Sequence, residues 1–249
     1  MSKQSRDQGR TERAAAVRAA QARKERNRRV VVIVGVVVVL AAIVAGGAWY
    51  GGGGGGKDTA AAGSSAPKLA AGPASLQVGK PDAPVKVVIY EDFLCPFCRE
   101  LETSTRDFLA ENAAKGKVYV EYQPINLLQE YPYSAKAMNA WAAVLAHASP
   151  SAALKLHNLF YDKQPYEQSS GQVTDAQIAA WVKQAGGDNA AVREAMKTQD
   201  TAFFAAAHDA MAKAKITGTP TVFLNGQELP TTAVADMVTK IETAVEQGS

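Results

Sequence analysis

Cysteine is nearly absent from this chain: 249 residues hold two, Cys95 and Cys98. A disulfide framework is therefore excluded beyond one bond between them, and so is a four-cysteine zinc site within one chain. The lack of other thiols suits an oxidising compartment, where spare cysteines mispair. Histidine is also scarce, with His147, His157 and His208 all far along the chain from the cysteines. Basic residues exceed acidic ones only slightly, 27 against 24. The excess is confined to one end: residues 1–29 hold ten Lys/Arg and three Asp/Glu, which leaves the rest of the chain acidic. A nucleic-acid surface needs basic residues spread over a folded face with interleaved aromatics. Aromatics are 7% here and the basic excess is a tail, so no nucleic-acid partner is expected.

What is present divides the chain into four parts. After the basic tail 1–29, which is expected to be cytoplasmic, Val30–Tyr50 runs 21 residues without a charge. As a helix it would be about 31 Å long, enough to cross a hydrocarbon core of roughly 30 Å. Arg28 and Arg29 precede it, and Trp49 and Tyr50 close it at the level where amphipathic rings favour the interface. The pattern predicts an uncleaved single-pass anchor in the cell membrane, N-terminus in the cytoplasm and C-terminus outside. A cleaved signal peptide is the rival, with an unusually long apolar region. Residues 51–74 open with six glycines and continue in Ala, Ser, Gly and Pro, a composition that reads as a flexible tether. The folded part begins between Leu69 and Val78, taken at residue 75, and extends to 249.

Within it, Val85–Glu91 (VKVVIYE) reads as a buried strand. Pro96 to Ala114 has helical spacing, and Lys117–Gln123 reads as a second strand. Four helices follow, over 133–148, 152–161, 175–185 and 189–214. They form an inserted all-helical subdomain at about 131–214. Thr174 with Gln177 predicts a capping box at the third. Thr221–Asn225 returns to strand, Asn225–Gly226 signals a hairpin, Gln227–Leu229 can return, and a last helix runs from about Thr232 to Val245.

The chemistry gathers at Cys95-Pro96-Phe97-Cys98, where a strand runs into a helix. A sulfur at a helix N-terminus meets unpaired N–H groups and the positive end of the dipole, so it ionises below the free value. Only the thiolate attacks a disulfide. Cys98 is one turn on, within reach of a short disulfide. Cys95 is therefore read as the attacking sulfur, and Cys98 as the more buried, resolving one. Half a metal site or an inert structural disulfide compete with this reading. The three histidines, as core or surface residues, supply no obvious metal partners, so no metal is assigned. A second segment, Ile216-Thr217-Gly218-Thr219-Pro220-Thr221, suggests a tight loop with a cis Thr219–Pro220 bond. Facing the cysteines, it would offer the Thr219 backbone to an extended substrate.

Asp92, Phe93, Cys95, Pro96, Phe97 and Cys98, followed by Gly218, Thr219, Pro220 and Thr221 with a helical block between, resemble the DsbA-like branch of the thioredoxin superfamily. The likeness is to its membrane-tethered bacterial members with a DFxCPxC active site. The resemblance implies an α/β, thioredoxin-like fold with an inserted helical subdomain, here preceded by one transmembrane helix. It also implies a Cys95/Cys98 redox couple opposite a cis-proline loop, with no cofactor. The implied activity is introduction of disulfides into reduced or misoxidised exported proteins, with reoxidation by a membrane quinone-linked thiol oxidase. Phe97 departs from the histidine of DsbA proper, and Ile89 from the buried acid of many relatives. Glu91 and Asp92 are nearer; strand alternation points them to opposite faces, and one could act on the Cys98 proton. The alternative is that both are solvated strand-end carboxylates. The motif leaves direction open, so a reductase or isomerase fed by a membrane electron donor stands beside the oxidase. A non-catalytic binding module or metallochaperone is the reading from another class.

Overall fold

The central strand is the β-branched run Val85–Glu91, β3, which pairs in parallel with β4 (Val118–Pro124) and antiparallel with β5 (Thr221–Leu224). In the computed structural model, residues 66–230 and 233–248 are described. The segments expected to be tail and anchor, and all but the end of the expected tether, lie outside them. Among the described residues no helix is long and apolar enough to cross a membrane.

Two short strands not foreseen in the sequence, β1 (Leu69–Ala71) and β2 (Leu76–Val78), extend the sheet past β4. Strand pairing therefore starts at Leu69, inside the stretch read as tether and at the early end of the expected boundary. The hairpin strand β6 (Gln227–Glu228) completes a six-stranded mixed sheet in the order β1-β2-β4-β3-β5-β6. The Asn225–Gly226 turn is as the sequence predicts. Both residues have positive φ (51° and 83°), and the Asn225 side chain accepts from Lys86 N at 2.8 Å.

The two faces of the sheet carry different loads. Val85, Val87 and Ile89 point into the main core, and Val88 and Tyr90 into a smaller cluster with Ile125, Ile216 and Phe223. Helix α1 (Pro96–Ala114) buries Leu101, Thr105, Leu109 and Ala113, a stripe at helical spacing. The last helix, α7 (Val234–Gln247), packs alongside α1 and buries Val234, Met237, Ile241 and Val245 in the same manner.

The helical insertion comprises α2 (Pro132–His147), α3 (Pro150–Asp162), a 3₁₀ turn (Glu167–Gln172), α4 (Asp175–Gln184), α5 (Ala190–Ala195) and α6 (Thr201–Lys213). The capping box at Thr174 is formed in both directions. One expectation is corrected: the helix read over 189–214 is two. Asp200 accepts from Phe203 N at 2.9 Å and so caps a new helix. Asn139 fixes the break by donating to Thr198 O (3.1 Å) and accepting from Asp200 N (2.8 Å). An N-cap aspartate in an alanine-rich run starts a helix as readily as it interrupts one. Helix α3 packs on α1 and on β1 and β2, which brings the insertion to the side of the sheet where Glu91 points.

Candidate active site

Cys95 sits at the N-cap of α1 with extended backbone (φ −68°, ψ 120°), and Pro96 follows at the first helical position, where its missing N–H costs no bond. Both thiols are free. Cys95 is 5% exposed and Cys98 1%, so the order of burial is the expected one, though Cys95 is itself recessed. The Thr219–Pro220 bond is cis, and the Cys95 thiol donates to the Thr219 carbonyl at 3.2 Å. Four of the residues singled out in the sequence, Cys95, Cys98, Thr219 and Pro220, are therefore brought together across about 120 residues of chain.

The two sulfurs are poised oppositely. Cys95 is lowered from 9.0 to about 6, first by a hydrogen bond from Cys98; burial opposes this, and hydrogen bonds from the Thr219 side chain and the Cys98 and Phe97 backbone add to it. Those backbone N–H groups are the unpaired donors of the first helical turn. Cys98 is raised well above 9.0, first by burial, then by donating to Cys95 and by the negative charges of Cys95 and Glu91. One sulfur is ready to ionise at neutral pH and the other holds its proton.

The strand-end carboxylates are not solvated. Asp92 is fully buried: one oxygen accepts from Leu94 N (2.9 Å), the other from Leu127 N (2.9 Å), Leu128 N (3.0 Å) and the Ser134 hydroxyl (2.7 Å). It ties the turn before Cys95 to the loop after β4, and burial raises it despite these donors. Glu91 continues the alternation of Val87 and Ile89 and points into the core. There its Oε1 lies 2.5 Å from His157 Nε2. Glu91 lies two residues beyond Ile89 on the same face of the strand, so a buried acid stands behind the cysteine motif.

Glu102 and Gln164 were missed in the sequence; His157, read there as a core or surface histidine, is a core one with Glu91 as its partner. His157 lies on the buried face of α3 with Ala153, Leu156 and Phe160. A histidine among apolar residues at that spacing needs a buried partner, and that was the available signal. Gln164 donates from Nε2 to the carbonyls of Phe93 and Cys95, both at 3.0 Å, and clamps the active-site turn from the insertion side. Phe93 stacks edge-on against Phe160 (5.0 Å) and His157 (5.8 Å). Phe97 is 61% exposed and, with Glu100, Thr219, Pro220, Val234 and Met237, lines a groove of about 420 Å³ beside the cysteines. Among the described residues no group of three or more His, Cys, Asp or Glu is arranged to hold a metal ion.

A dithiol held in unequal protonation states on this fold is the working part of thiol–disulfide oxidoreductases, and that is the class to which the chain conforms. A family model described as thioredoxin matches residues 72–243, and the chain belongs to that family, in its DsbA-like branch. Among solved structures it is similar to DsbA from Mycobacterium tuberculosis (25% identity, TM-score 0.53, covering 69% of this chain and 92% of that one). MdbA, a thiol-disulfide oxidoreductase from Corynebacterium diphtheriae, shares its fold (23%, TM-score 0.59, 74% and 94%), as does BdbD from Bacillus subtilis (24%, 0.58, 69% and 91%). A curated relative is the Na(+)/H(+) antiporter NhaA 3 of Salinispora tropica, 28% identical over 150 residues. That match covers 60% of this chain and only 21% of the antiporter.

Proposed function

We propose that the chain is a disulfide-forming enzyme, with Cys95 and Cys98 as its redox couple. It would act outside the cytoplasm on exported proteins from a membrane anchor at residues 30–50. The observation that carries this reading is the pair of unequal thiols: a stabilised Cys95 thiolate favours the reduced state, which makes the Cys95–Cys98 disulfide an oxidant.

In the reaction, a substrate thiolate attacks Cys95 of the disulfide, the Cys95–Cys98 bond breaks, and Cys98 leaves and takes up a proton. A second substrate thiolate then attacks the substrate sulfur of the mixed disulfide. The substrate disulfide forms and Cys95 leaves as the thiolate that the helix end favours. The substrate loses two electrons and the enzyme gains them. Thr219 offers its backbone to an extended substrate, and the groove at Phe97, Pro220 and Met237 receives apolar side chains. Reoxidation falls to a quinone-linked thiol oxidase of the membrane, which the anchor would keep nearby.

The test uses the full chain in detergent with a reduced, unfolded disulfide protein. Oxidation should occur, Cys95→Ser should abolish it, and Cys98→Ser should accumulate mixed disulfides. A reduction potential near about −120 mV against glutathione supports the oxidase, whereas one near about −270 mV means a reductase and overturns this direction. Finding residues 1–29 on the mature protein in the membrane fraction supports the anchor; their loss means cleavage.

A further inference from the structure

Two large hydrophobic side chains stand in solvent among the described residues, and both belong to the neighbourhood of Cys95: Phe97 is 61% exposed and Tyr166 82%. Phe97 lines the groove formed by the start of α1, the Thr219–Pro220 loop and α7, and no residue of the helical insertion contributes to that groove. Tyr166 belongs to the insertion, in the connection between α3 and the 3₁₀ turn. Two residues before it, Gln164 holds this connection to the active-site turn through the carbonyls of Phe93 and Cys95, at 3.0 Å each. Two residues of chain span at most about 7 Å. With the reach of the Gln164 side chain added, Tyr166 stands within about five residues' length of extended polypeptide from the Cys95 backbone.

The backbone at Tyr166 is fixed while its ring is not engaged. Pro165 restricts the chain just before it. The Tyr166 carbonyl accepts from Ser169 N at 2.9 Å and from the Ser169 hydroxyl at 3.1 Å, and the Ser170 hydroxyl donates to Glu167 O at 2.7 Å. Among the described residues no hydrogen bond or ring contact engages the Tyr166 side chain. The ring therefore does no work in packing the insertion. A tyrosine carried on an ordered loop offers a large amphipathic face at little conformational cost on binding, and such rings are the usual anchors of interfaces.

We infer that Tyr166 is a second recognition point for substrate: it receives an apolar or aromatic side chain of an extended polypeptide whose cysteine is joined to Cys95. The inference rests on the exchange reaction proposed above and adds the class of sequence that reaction favours. A segment that spans both exposed rings runs from the groove at Phe97, past Cys95, to Tyr166 on the insertion side. The recessed position of Cys95, 5% exposed, sets the state of this partner. Only an unfolded segment can bring its sulfur down to that thiol and still lay side chains on both rings. The side chain on Tyr166 stands up to about five residues from the substrate cysteine. Apolar residues flanking a cysteine are those a folded protein buries in its own core. The same contact therefore favours substrates before they fold and releases them afterwards.

The test uses the full chain in detergent with Cys98→Ser, so that Cys95 acts alone. Single-cysteine peptides, blocked as mixed disulfides with nitrothiobenzoate, differ only in the place of one leucine, up to about six residues before or after the cysteine. Cys95 attacks the peptide sulfur, the Cys95–peptide disulfide forms, and the coloured thiolate leaves. Its release is followed by stopped flow against peptide concentration. A leucine within about five residues on one side of the cysteine should lower the half-saturating concentration at least about fivefold, a modest share of what an interface tyrosine supplies. Tyr166→Ala in the same chain should erase that preference and leave the limiting rate unchanged. Its reaction with the small bis-nitrothiobenzoate disulfide, which has no side chain to place, should also be unchanged. Tyr166→Phe should keep the preference. A leucine profile that Tyr166→Ala leaves intact overturns the inference, and assigns the ring to another surface such as the bilayer. Equal slowing of the small reagent and the peptides overturns it too, because the residue would then act through the Gln164 clamp. Failure of the Cys98→Ser chain to react even with the small reagent would instead overturn the exchange reading itself.

Discussion

Changing the pH of the reduced protein and of its disulfide form tests the central electrostatic claim. Cys95 falls from 9.0 to about 6 in the folded dithiol. The unfolded chain lacks the helix end, so its thiol ionises near the ordinary value. An acid whose folded pKa is depressed adds stability above its unfolded pKa and loses it as pH falls through the folded one. The window here is pH 6 to 9. Three units at ~1.4 kcal/mol each give about 4 kcal/mol at the top of the window. At pH 7 the folded thiol is about ten parts ionised to one and the unfolded thiol almost wholly protonated, which leaves roughly 1 to 2 kcal/mol. That is about 30 mV towards a stronger oxidant.

The disulfide form has no thiol to titrate, so the difference between the two forms isolates the effect. Glu102 and His157, both raised, lose stability as pH rises, but they do so in both forms. Cys98 stays protonated in the fold and costs the dithiol form stability only as the unfolded thiol ionises around and above pH 9. Denaturant unfolding of both forms at pH 5, 7 and about 8.5 should show the dithiol gaining on the disulfide by these amounts. Thiolate absorbance and alkylation rate should titrate near 6. A difference that is flat across the window, or alkylation that titrates near 9, refutes the argument that the helix end holds an ionised sulfur.

Three substitutions extend the test. Asp92→Ala removes the acceptor of four buried donors, each worth ~1–3 kcal/mol when left bare, and should cost at least about 3 kcal/mol by denaturation; Asp92→Asn, which can keep its oxygen on three of them, should cost about 1–3. Phe97→His puts an imidazole one residue from the reactive helix end at an exposed position, and below its own pKa should lower Cys95 further, by up to about one unit, in the alkylation titration. Gln164→Ala strips a donor from the Phe93 and Cys95 carbonyls and should lower stability by about 1–2 kcal/mol.

The parts of this fold that were legible in the sequence are those whose local rule and tertiary role agree. The run VKVVIYE, the proline-started α1, the capping box at Thr174 and the Asn225–Gly226 hairpin each form where short-range chemistry points. Strands β1 and β2 have three residues each, too few to show alternation, and exist because β4 offers an edge to pair with. The break between α5 and α6 depends on Asn139, which is distant in sequence. Cys95, Cys98, Thr219 and Pro220 carried their own signals, but nothing short-range says that a helix entered after 150 will bring His157 to Glu91.

That difference bears on how the site is built. The strand, α1 and the Thr219–Pro220 loop suffice to lower one thiol and raise the other. What the insertion adds reaches the redox centre from behind: Ser134 to Asp92, His157 to Glu91, and Gln164 to the Cys95 carbonyl. Each contact satisfies a carboxylate or carbonyl that would otherwise be buried without a partner. The insertion therefore does more than cover the sheet. With Glu91 buried on the core face of β3, the core needs a cation at that depth, and α3 supplies it in His157. Glu91 and His157 are then a single device, in which exchanging either residue alone leaves a buried charge exposed to no partner. A double variant that replaces both with apolar residues should be more stable to denaturant than either single one. A double variant less stable than both single ones would refute the pairing of the two residues as one buried unit.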